Sequence, residues 1–184
     1  LEDRFIALDG AITHAHGPGG AHAHGDLAFT LWLNPKLAMQ QAKNIQAAFA
    51  NEWEVGPNGL NLLLKDLAEL DASWAAAFEK LGSQPLLGSH PVYQYLAQRY
   101  DLDMRSVHWE PDQVPDDKMW LELEDALESH EAKIMLWEDE PLPETKARLA
   151  ERGIASIVFN PCGNRPEDGD FMDVMQRNAE ALQK

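Results

Sequence analysis

Four of the seven histidines, His14, His16, His22 and His24, fall in one glycine-rich run, THAHGPGGAHAHG (13–25). They form two HxH pairs, and neutral imidazole is a good ligand for Zn²⁺. The run has almost no apolar content, so it cannot build a packed core around a metal. A site without supporting groups selects metals poorly. His90 stands alone at the end of the apolar run QPLLGSH (84–90). Glu138 and Asp139 close another apolar run, AKIMLWE (132–138), and supply carboxylates that could reach the same crevice. His108, inside the run MRSVHW (104–109), and His130, at a polar helix end, read as structural. Cys162 follows Asn160-Pro161, with no activating base marked beside it in sequence.

The elements that must position these residues are legible. Leu37, Ala38, Ile45, Ala48 and Phe49 have helical spacing from Pro35 to about Trp53, with proline at the start. Leu60, Leu63, Leu64, Leu67, Leu70, Trp74 and Phe78 predict a long helix over 56–82, stopped by Gly82. Residues 1–12 read as a helix end or strand. The remainder alternates strands at 84–90, 104–109, 132–138 and 154–160 with helices at 91–100, 116–130, 143–152 and 168–183. Such alternation predicts an α/β fold with a parallel, helix-covered sheet. Ligands in these folds sit at the carboxyl ends of the strands. Those ends are Ser89-His90, Trp109-Glu110, Glu138-Asp139 and Asn160-Pro161.

Bulk properties narrow the function. The 184 residues suffice for one ordinary domain, or one domain and part of another. A formal charge of −16 argues against a nucleic-acid partner, which clustered Lys and Arg would hold. One cysteine cannot make an internal disulfide. No apolar run approaches a membrane span. There is no GxxxxGK[ST], GxSxG or HExxH motif. The opening LEDRFIALDG carries no signal-peptide pattern and reads as the middle of a larger protein.

Seven pieces of the chain, in order, resemble the solute-binding proteins of bacterial zinc and manganese ABC importers. After the histidine-rich loop, AFTLWLNP (28–35) lies on that family's DPHxWLxP segment. GPNGLNLLL matches the start of its long helix, and SHPVYQYLAQRYDL (89–102) matches HxAxxYxxxxYGL. WEPDQVP stands at its acidic-proline loop, LWE (136–138) at FxE, NPCG (160–163) at DPxG and MQRN (175–178) at MxxN. The resemblance implies that 1–55 end an N-terminal lobe, with the His-rich loop at 13–25. It implies that 56–82 form the linking helix and 83–184 a C-terminal α/β lobe. The body of the first lobe, with a histidine ligand of its own, would precede Leu1. It further implies a periplasmic, monomeric, non-enzymatic receptor that delivers a metal ion to an ABC permease.

At the family's ligand positions His90 is kept, but Thr30 replaces the histidine of DPHxW and Asn160 the aspartate of DPxG. Zinc prefers imidazole, thiolate and carboxylate. Each loss should cost several kcal/mol, given a total of about 10–16 kcal/mol for structural zinc. The expectation is a degenerate cleft, with zinc weakly bound or held by the loop. Two other readings stand beside it. In one, the same cleft takes another solute or a partner, with Thr30 and Asn160 as neutral hydrogen-bonding groups. In the other, the chain is a small α/β hydrolase using Cys162 or Glu138.

Overall fold

The computed structural model describes residues 5–6, 13–15, 21–23, 27–52 and 56–183. The element expected over 1–12 lies almost wholly outside these residues, as do His16 and His24.

The histidine run is more regular than its composition suggests. β1 (Thr13–Ala15) pairs antiparallel with β2 (Ala21–Ala23), setting His14 opposite His22. After it, Leu31–Leu33 make one 3₁₀ turn, and Asn34 ends that turn. The Asn34 Oδ1 accepts from the backbone N–H groups of Lys36 and Leu37, starting α1 (Pro35–Glu52).

The long helix is α2 (Asn58–Leu81), closed by Gly82 at φ 76° as predicted. It is divided in its environment. Leu67, Leu70, Trp74, Ala77 and Phe78 are buried, whereas Leu62 and Leu63 nearer its start are exposed. The buried half is also clamped by charge. Asp71 accepts two hydrogen bonds from Arg99, at 2.8 and 2.6 Å, and one from the Tyr100 hydroxyl at 3.0 Å.

The four expected strands form one parallel sheet: β3 (Leu86–Gly88), β4 (Met104–Ser106), β5 (Ile134–Trp137) and β6 (Ala155–Val158). Their spatial order is β4-β3-β5-β6. Connecting helices are α3 (Gln94–Tyr100), α4 (Asp117–Ser129), α5 (Pro143–Glu151) and α6 (Phe171–Ala181), the last begun by an Asp170–Asp173 capping box. Neighbouring strand residues point to opposite faces. Leu86, Ile134 and Leu136 therefore join one core with α2, α3 and α6. Leu87, Met135 and Trp137 join the other, with Trp120 and Leu123 of α4 and Leu149 of α5. The result is a helix–sheet–helix sandwich.

Two local differences from the sequence reading bear on the site. β4 stops at Ser106, so His108 is not in a strand but exposed in the segment beyond it. The helix expected from Pro91 begins only at Gln94, because His90–Val92 make a tight turn in which the Val92 N–H donates to the His90 carbonyl at 2.9 Å.

Candidate functional site

The strand order reverses at β3. The chain leaves β3 for β4 on one side, then crosses back so that β5 lies on the other. A crevice opens at such a reversal, beyond the carboxyl ends of the two central strands. The residues that leave those ends are Ser89-His90 and Glu138. The sequence thus places a histidine and a carboxylate where this topology binds ligands.

Gly88 allows the chain to turn there. A Cβ at this position would stand 3.0 Å from both the Ser106 Oγ and the Tyr93 ring, and 3.1 Å from the His90 carbonyl oxygen. The His90 side chain is 2% exposed. Its Nδ1 lies 3.1 Å from the Trp109 carbonyl oxygen and 3.2 Å from a Glu138 carboxylate oxygen. Its Nε2 lies 3.4 Å from a Glu110 carboxylate oxygen. One buried imidazole thus stands between two carboxylates, each from a different strand end. Burial, and secondly the Glu110 carboxylate, push Glu138 up to about 7. Burial and the Glu138 charge likewise push the Tyr93 phenol well above its ordinary value.

Glu110 is the residue that sequence reasoning underused. It was legible as a strand end, but nothing local shows that the loop after β4 folds over β3. His108 was set aside, yet its ring stands edge-on to His90 with centroids 6.1 Å apart. The structural reading of His130 holds: it caps the end of α4, and its Nε2 donates to the Leu86 carbonyl at 2.9 Å. Asp139 is exposed and accepts from the Glu140 N–H at 2.8 Å, a local turn contact.

The altered positions are gathered at the same end of the sheet, and each makes a side-chain hydrogen bond to the backbone. The buried Thr30 hydroxyl donates to the Val92 carbonyl. The Trp32 indole N–H donates to the Pro161 carbonyl at 2.7 Å, tying the segment after Thr30 to the loop after β6. In that loop the Asn160 Oδ1 accepts from the Cys162 N–H at 2.7 Å. Asn178 of α6 holds both sides of the Asn160 backbone, accepting from its N–H at 3.0 Å and donating to its carbonyl at 2.8 Å. The Cys162 thiol is raised above its ordinary value by burial, the opposite of an activated nucleophile. Among the described residues, no three His, Cys, Asp or Glu side chains are together arranged to hold a metal ion.

The family model for the periplasmic zinc-uptake complex component A, ZnuA, matches residues 2–184. The chain belongs to the ZnuA family. It is 27% identical over 164 residues to the high-affinity zinc uptake system protein ZnuA of Bacillus subtilis (strain 168), a match that covers 83% of this chain and 51% of that protein. The fold is shared with the metal-dependent lipoprotein YcdH of Bacillus subtilis, at TM-score 0.73 and 22% identity, covering 86% of this chain and 64% of that one. It is shared as well with the Zn(II)-bound ZnuA-like domain of Streptococcus pneumoniae AdcA, at TM-score 0.72 and 19% identity, covering 92% and 66%. The ZnuA-family chain therefore spans about half the length of the curated relative and about two thirds of these structures. No helix among its described residues is long and apolar enough to cross a membrane.

Proposed function

We propose that this chain is the C-terminal part of a zinc-type solute-binding protein that captures a divalent cation at the end of its sheet and presents it to an ABC permease. In this reading residues 83–184 are the C-terminal lobe, 56–82 the linking helix and 1–55 the end of an N-terminal lobe. The receptor works outside the cytoplasmic membrane as a monomer and makes or breaks no bond. The observation that carries the reading is His90, buried at the point where strand order reverses and flanked by carboxylates. The relatives' zinc-uptake names support it.

His14, His16, His22 and His24 act in this reading as a separate, weak zinc-gathering loop. The cleft is degenerate at Thr30 and Asn160, whose hydroxyl proton and amide oxygen each bond to the backbone. Hydrolysis through Cys162 is disfavoured by its raised thiol.

Zinc titration with and without residues 13–25, each with and without His90→Ala, tests the proposal. Deletion of the loop should remove most of the bound zinc and leave the metal-free melting temperature nearly unchanged, since the segment adds no apolar core. The zinc that remains should be weak and should disappear with His90→Ala. Residual binding indifferent to His90→Ala would overturn the cleft assignment.

A further inference from the structure

Thr30 and Trp32, two residues apart, reach two loops that are distant in sequence. The buried Thr30 hydroxyl donates to the carbonyl of Val92, in the turn after β3. The Trp32 indole N–H donates to the carbonyl of Pro161, in the loop after β6, at 2.7 Å. Between β3 and β6 in the sheet lies β5. Neighbouring strands stand about 4.8 Å apart, which puts the two anchor points roughly 10 Å from each other. Two residues of chain span at most about 7 Å, and the length of the indole covers the remainder. The segment therefore crosses the carboxyl end of β5, where Glu138 emerges.

A second bridge spans the same gap. The Tyr93 hydroxyl donates to the Phe159 carbonyl at 2.9 Å, again joining the segment after β3 to the residue after β6. The crossing segment is also packed from within. Leu33 is 0% exposed in the core shared with α2, α3 and α6, and Leu31 packs with Tyr95 of α3. Both of its anchoring hydrogen bonds join uncharged groups, and neither needs a metal or a solute to form. Asn34 then starts α1, which packs against α2, so the segment is joined to both helices.

We propose that residues 30–32 form a strap that couples the His90 turn to the Asn160-Pro161 loop, so that this end of the sheet opens only when both loops release together. In the reading above, residues 1–55 end one lobe and 83–184 form the other, and the strap is the fastening between them. The closed arrangement is held by the chain itself, and a solute enters once the strap lets go.

The test is hydrogen exchange by NMR in the metal-free protein, read at two amides. The Val92 N–H donates to the His90 carbonyl at 2.9 Å, and the Cys162 N–H to the Asn160 Oδ1 at 2.7 Å. Trp32→Phe keeps an aromatic ring and removes the N–H, and Thr30→Val removes the hydroxyl at nearly the same size. A strap requires crossed effects. Trp32→Phe should speed exchange at Val92 as well as at Cys162, and Thr30→Val at Cys162 as well as at Val92. Each rate should rise about fivefold, the net worth of one ordinary hydrogen bond. The double variant should add little to either single, because one cut already frees the strap. Leu149→Ala, in the core on the opposite face of the sheet, lowers global stability away from the strap and serves as the control.

If each substitution speeds only the amide of its own loop, the two bonds are separate struts and the strap is overturned. If Leu149→Ala speeds both amides as much as Trp32→Phe does, exchange follows global unfolding and the strap fails again. Should Trp32→Phe not fold, Thr30→Val decides through the Cys162 amide. No zinc enters the experiment, so failure of the strap leaves the cation-binding reading as it stood.

Discussion

The Thr30 hydroxyl donates to the carbonyl of Val92, two residues beyond His90 and 62 positions away in sequence. Where the family resemblance leads one to expect a ligand, the Thr30 side chain ties down the His90 turn, and this sets the outcome of placing a histidine there.

Thr30→His with Asn160→Asp should restore two ligand types beside His90, and zinc affinity should rise only in the double variant. The two changes differ in structural cost. An aspartate at 160 keeps an oxygen for the Cys162 N–H, so its melting temperature should match wild type. A histidine at 30 must enter a site that is 1% exposed and gives up the Val92 contact, at a cost of about 1–3 kcal/mol. Calorimetric titration and thermal melts of both singles and the double decide it. No gain in the double would mean that Thr30, His90 and Asn160 do not converge.

Gly88→Ala should unsettle the site from behind. The added methyl meets Ser106, Tyr93 and the His90 carbonyl at 3.0–3.1 Å, and the last of these belongs to the His90 turn itself. Stability should fall by about 1–3 kcal/mol. Zinc binding by the loop-deleted protein should weaken together with it. A variant with wild-type melting would show that the turn can shift without penalty.

Cys162 should behave as an unreactive thiol. Burial and the Asp170 charge raise its pKa, and Arg177 lowers it less than burial raises it. The thiolate fraction at pH 7 should therefore be below that of an ordinary cysteine, whose pKa is about 8.5. Alkylation by iodoacetamide should be slow at neutral pH and climb as pH passes through and above that value. A rate already at its plateau near pH 7 would revive the hydrolase reading.

The sequence by itself determined the elements and the place of His90 at a strand end. Period-3.6 leucines and aromatics give α2 its buried face, because one side of a helix must be apolar to enter a core. The apolar runs that give β3 and β5 read as central strands of a helix-covered sheet, since burial on both faces leaves few polar positions within them. His90 was legible because its place after such a run is a local property.

Only the tertiary structure decided which strand ends meet. The order β4-β3-β5-β6 sets the loop after β4 against β3, and no residue in WEPDQVP announces that Glu110 will face His90. Thr30 likewise reads as a candidate cleft group until long-range packing supplies its partner, the Val92 carbonyl. The physical reason is range. Propensity and periodicity act within a few residues, whereas a ligand set is assembled by contacts between segments tens of residues apart, which the packing of both sheet faces selects together.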